Sequence, residues 1–144
     1  MKLFLRIAAS LFFALASMHA AMAARPGAPM EQFLNNPIKS GSGATLTNEQ
    51  VEAAMVRGGV QHDWVITPNH DGTLNAHLDV RNGKHTLDVV ITLHDNQYDI
   101  TYKNSTNLQY APKRVDADAP LIHPAYSKWL KTLIKDFNIQ FTTL

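Results

Sequence analysis

The stretch DVRNGKHTLDVVITLHDNQYDITYKN, residues 79–104, constrains the fold more than any other part of the chain. Asn82-Gly83 and Asp95-Asn96 both suit the positive φ of a two-residue hairpin turn, and each stands between runs in which apolar and polar side chains alternate. A tight turn fixes which residues face each other, and the side-chain period of two then decides which share a side of the sheet. In the first hairpin Arg81 faces Lys84, Leu78 faces Leu87, Ala76 faces Val89 and Leu74 faces Ile91; in the second, Leu93 faces Tyr98, Ile91 faces Ile100 and Val89 faces Tyr102. Apolar residues meet apolar residues throughout, so one face is apolar and its reverse polar, the pattern of an antiparallel sheet covered on one side.

Strands are expected at 62–67, 73–81, 84–94 and 97–103. Before them, Thr47 and Gln50 form a capping box, Leu46 and Val51 occupy the positions of a hydrophobic staple, and Val51, Ala54 and Met55 make one helical stripe. Gly58-Gly59 reads as the left-handed stop of that helix. After them, Tyr126, Trp129, Leu130, Leu133, Ile134 and Phe137 fall at helical spacing, with Lys128, Lys131 and Lys135 on the other side. The final NIQFTTL is expected either to add a short strand or to pack down. The expected fold is α+β, in the order α-β-β-β-β-α: a four-stranded antiparallel meander with an N-terminal and a C-terminal helix packed on one face.

Residues 1–24 read as a signal peptide, with Lys2 and Arg6 ahead of an apolar run and cleavage expected after Ala23 or Ala24. Residues 25–45, rich in Pro, Gly, Ser and Asn, read as a flexible leader, and 46–144 as a single domain. A periplasmic or secreted protein without a stable membrane anchor after cleavage is expected. Without Lys2 and Arg6 the chain carries 11 basic and 12 acidic residues, so nothing in its charge points to nucleic acid. No cysteine is present for a disulfide or for lipid attachment.

The registers predict a cross-strand row on the polar face: Asp63, His77, Asp88 and Lys103, with Asp63 joining if Ile66 pairs with Leu74. His77, Asp88 and Asp63 are the candidate ligands of a divalent metal, since imidazole and carboxylate suit zinc, copper or nickel. Against this stand the ammonium of Lys103 and the absence of any HExxH or clustered His/Cys motif, so a ladder of ion pairs is the plainer expectation. A second candidate is a groove between the irregular crossing and the last helix, closed by Tyr110 and Tyr126 with Asn107 and His123 as polar groups. The plainer reading of Asn107 and His123 is as caps that satisfy backbone groups.

No GxSxG elbow is present, and Gly41, Gly43, Gly58 and Gly59 fit neither a phosphate loop nor a dinucleotide fingerprint. No catalytic residue and no cofactor are therefore assigned. The leading expectation is a non-enzymatic binding protein for a small ligand or an envelope protein. The alternatives are metal buffering and a cell-envelope hydrolase, which would need two carboxylates converging in a cleft. Pairing of two copies through a sheet edge is also expected, since edges carry unpaired backbone groups.

AAMVRGGVQHDWVI, YDITYKNSTNLQY and IHPAYSKWLKTLIKDF together span Val51 to Phe137, and Ile122, His123, Tyr126 and Trp129 form an Ile-His-x-x-Tyr-x-x-Trp helix start. In these features the chain resembles a family of small exported proteins and lipoproteins of Gram-negative bacteria that has no assigned activity. The resemblance implies an α+β fold and an envelope location, and transfers no catalytic residue. The chain departs from the lipoprotein members in lacking a lipid-accepting cysteine.

Overall fold

Both turns form where the dipeptides place them. Asn82 and Gly83 have φ of 54° and 79°, and Asp95 and Asn96 have φ of 45° and 59°. The computed structural model describes residues 27–113, 115 and 117–144, so the expected signal peptide lies outside the described residues. In chain order the elements are β1 (Ala28–Pro29), β2 (Phe33–Pro37), α1 (Asn48–Val60), β3 (Trp64–Pro68), β4 (Thr73–Val80), β5 (His85–His94), β6 (Gln97–Thr106), β7 (Leu121–Ile122) and α2 (Ala125–Phe141). The main antiparallel sheet has the order β2-β6-β5-β4-β3, and β1 pairs with β7 in a separate ribbon.

The expected registers of β4 on β5 and of β5 on β6 hold for Leu78↔Leu87, Ala76↔Val89, Leu74↔Ile91, Leu93↔Tyr98, Ile91↔Ile100 and Val89↔Tyr102. Their apolar face is the core: Leu74, Leu87, Val89, Ile91 and Tyr98 are fully buried, as are Leu130, Leu133, Phe137 and Phe141 of α2. The capping box of α1 is present, Gln50 N–H donating to Thr47 Oγ1 and Thr47 N–H to Gln50 Oε1. Helix α2 runs through to Phe141, so most of the final segment extends the helix and adds no strand.

Four expectations change. The meander gains a fifth strand, because Phe33–Pro37, within the supposed leader, pairs with β6 and brings Phe33 and Ile38 into the core. The pairing shifts register between Phe33 and Asn36, where Asn35 has φ of 55° and Asn36 Nδ2 donates to the carbonyls of Phe33 and Tyr98. The Asn36 side-chain amide thus replaces part of the ladder, and a strand of that kind leaves no alternation to read.

Second, β3 pairs with β4 through Trp64↔Leu78, Ile66↔Ala76 and Pro68↔Leu74, so Ile66 does not face Leu74. The turn is tighter than expected: Gly72 N–H donates to Asn69 O, Asn69 N–H to Thr73 O, and Gly72 takes φ of 82°. A type I turn closed by a left-handed glycine explains the shift of two residues, which preserves the faces. Third, a bulge between Asp88 and Val89 places Asp88 opposite Asn104, not Lys103.

Fourth, Gly58 and Gly59 do not stop α1 but lie buried within it. A Cβ on Gly59 would stand 2.6 Å from Ile66 Cγ1, and one on Gly58 would stand 3.1 Å from Phe137 Cδ1. The glycines let the helix backbone close onto β3 and α2.

Candidate functional site

The turn after β4, the start of β5, the segment after β6 and the first turns of α2 meet at one end of the molecule, where two contiguous hollows open. The first, of about 440 Å³, lies over Trp64 and Leu78 and is flanked by His62, Asp63 and Lys128. The second, of about 400 Å³, is flanked by His85, Asn107, Leu108 and His123. Val80, Arg81 and Trp129 line both, so a single groove is divided at Trp129.

Local hydrogen bonds hold the second hollow in shape. Asn107, at φ of 55°, donates from Nδ2 to Lys84 O at 2.6 Å and so ties the end of β6 to the β4–β5 turn. The Asn107 carbonyl accepts from His85 Nδ1 at 3.2 Å, which places a proton on that nitrogen. His123 has the opposite tautomer: its Nδ1 accepts the Ala125 N–H at 3.1 Å, so Nε2 carries the proton of the neutral ring. His123 N–H donates to Leu108 O at 2.7 Å, which anchors the approach to α2.

At the first hollow, His62 Nδ1 lies 2.6 Å from Oδ2 of Asp136, a carboxylate of α2 that is only 5% exposed. This contact crosses from the end of α1 to α2 and fixes the rim. Asp79 Oδ1 accepts the Gly83 N–H, so that carboxylate is engaged by the turn.

The polar face of the sheet is simpler. His77 Nδ1 lies 2.7 Å from Asp88 Oδ1, and His94 Nε2 lies 3.1 Å from Asp99 Oδ1 without the alignment of a hydrogen bond. Asn35 N–H donates to Asp99 at 2.6 Å, and that bond, followed by the contact with His94, holds the Asp99 carboxyl below the usual carboxylate range. Lys103 Nζ donates to Asn75 Oδ1 at 3.1 Å.

Comparison with protein families, with curated proteins and with solved structures finds no match.

The expected site residues therefore divide. His77 and Asp88 come together as expected, but Val65 takes the place expected for Asp63 and Asn104 that expected for Lys103. Among the described residues no three His, Asp or Glu side chains gather as a metal site would require. Asn107 and His123 do meet at the groove, and both satisfy backbone groups as well. Tyr126 does not close the groove; it is core, packed edge-on against Phe33 and Tyr102. Tyr110 stacks on Tyr102 with centroids 4.3 Å apart and covers the core beside β6.

Arg81, Trp129 and Asp136 are not among the expected site residues, and His85 is expected only as a further imidazole near a strand end for a metal. Arg81 and His85 flank a turn, where polarity needs no further reason, and Trp129 and Asp136 fall on a helix read only for its apolar stripe. An aspartate adjoining that stripe, at Asp136 beside Phe137, was the one available signal of a buried partner.

Proposed function

We propose that the protein is an exported, non-enzymatic binding protein that takes a small ligand in the groove divided by Trp129. The observation that carries this reading is the pair of contiguous hollows of about 440 and 400 Å³, within the range of small-molecule sites and combining apolar walls with a few placed polar groups. The helices pack on the sheet's apolar face, and α2 forms one wall of the groove through Lys128, Trp129 and Thr132. Export is supported by the pattern of residues 1–24 and by the family resemblance. No helix among the described residues is long and apolar enough to cross a membrane.

A thermal-shift screen of small polar metabolites tests the reading, because a ligand at a hundred times its Kd adds about 2.7 kcal/mol to stability. At least one compound should raise the Tm of the parent protein, and the shift should fall in Trp129→Ala and in Arg81→Gln. A panel without a stabiliser, or one that stabilises both variants as well as the parent, contradicts it. N-terminal sequencing of the chain recovered from the periplasm should begin after Ala23 or Ala24.

A further inference from the structure

We infer that the second hollow recognises a small aromatic acid, a carboxylate or phosphate monoester carried on a flat ring. The inference rests on the reading of the groove as a ligand site and adds the chemical class of its occupant. Among the described residues, the ionisable side chains lining this hollow are Arg81, His85 and His123, none of them acidic. In the first hollow, by contrast, Arg81 and Lys128 are balanced by Asp63 and Asp79. An anion is therefore favoured on one side of Trp129 and not on the other.

The hydrogen-bond roles sharpen the preference. Asn107 spends one Nδ2 hydrogen on Lys84 O, and the rest of its amide can donate or accept, so it does not set the ligand class. His123, held through Nδ1 by the Ala125 N–H, has Nε2–H left as a donor in its neutral form. His85 is held through Nδ1 by a carbonyl, which leaves Nε2 to donate only when the ring is protonated. Arg81 supplies the planar fork that binds the oxygens of a carboxylate or phosphate in pairs. Trp129, with Leu108 and Val80, adds the apolar wall against which a ring can lie. Donors and an indole lining one hollow fit a ring bearing a single acidic group.

Four probes separate these requirements: phenylacetate, phenyl phosphate, phenethylamine and inorganic phosphate. Binding to the purified protein is followed by tryptophan fluorescence and by isothermal calorimetry. At least one of the two ring acids should bind, and phenethylamine and inorganic phosphate should bind at least about tenfold more weakly. Arg81→Gln, checked for folding by circular dichroism, should weaken the ring acid about tenfold or more, the scale of a lost charge-assisted hydrogen bond. His85→Gln should weaken it as well, and Lys135→Gln, the same charge change on the exposed side of α2, should leave it unchanged.

Phenethylamine binding as tightly as the acids overturns the inference, as does failure of both acids. Inorganic phosphate binding as tightly as phenyl phosphate overturns the ring requirement. Should the acids fail while another compound still stabilises the parent protein and not Trp129→Ala, the groove reading stands and only the assignment of an anionic ligand falls.

Discussion

Asp136 shows how one residue can matter more than its surroundings suggest. A carboxylate 5% exposed on an otherwise apolar helix face needs a partner, and His62 supplies it across the α1–α2 contact at 2.6 Å. Since the imidazole is about half exposed, the coupling belongs at the low end for a charged hydrogen bond. A double-mutant cycle of His62→Ala and Asp136→Asn, read by urea unfolding, should give an interaction of about 1 kcal/mol. A coupling indistinguishable from zero would reduce the pair to a chance contact.

Tyr98 poses the opposite case, a fully buried phenol whose hydroxyl has no hydrogen-bond partner among the described residues. Burial pushes its ionisation above the ordinary 10, and burial, then the charge of Glu31 and Tyr102, pushes Tyr126 up to about 12. Both are neutral in the folded and unfolded chain below pH 10. Above it the unfolded chain loses protons that the folded chain keeps, so stability falls with rising pH, by about 1.4 kcal/mol per pH unit for each phenol. For Tyr126 that window closes near pH 12. Tyr98→Phe should flatten this alkaline decline by one proton and, at neutral pH, leave stability unchanged or slightly raised. A clear loss at neutral pH would mean that the hydroxyl has a partner.

At the scale of elements, α1 carries a specific packing requirement at Gly59. Alanine is a better helix former than glycine by about 1 kcal/mol, so propensity alone makes Gly59→Ala stabilising. The close approach of Ile66 and of the Trp64 carbonyl reverses the sign. Gly59→Ala should lose about 1–3 kcal/mol in chemical denaturation, and a gain would show that α1 does not sit against β3 as described.

The same elements show what a sequence can convey. The β4–β5–β6 core was legible because Asn82-Gly83 and Asp95-Asn96 constrain backbone dihedrals locally, and alternation carries that register outward. The bulge beside Asp88 was not legible, since an extra residue in one strand leaves no mark when its neighbours Lys103 and Asn104 are both polar. Nor was β2, where Asn35 takes a positive φ and Asn36 uses its side-chain amide where a regular strand would use its ladder. Gly58-Gly59 stands out in the sequence without declaring its role, because the same pair can end a helix or let one be approached. Of the groove, Asn107 and His123 were legible as polar residues at the ends of elements. Arg81, His85 and Trp129 were not, because a groove is formed by distant segments and no local pattern records their meeting.

At the scale of the whole molecule, one core joins the two helices to the five-stranded sheet and leaves two surfaces for work. On the open sheet face His77 pairs with Asp88 and Lys103 with Asn75, whereas the groove gathers donors and aromatic surface from segments far apart in the chain. The placement of function in the groove rests on this contrast. Fragment screening by amide chemical-shift mapping tests it most directly, since small probes collect where a surface is built to bind. Bound fragments should shift the amides around Arg81, His85, Asn107 and residues 123–129. Fragments clustering instead around His77 and Asp88, or binding nowhere, would contradict the account.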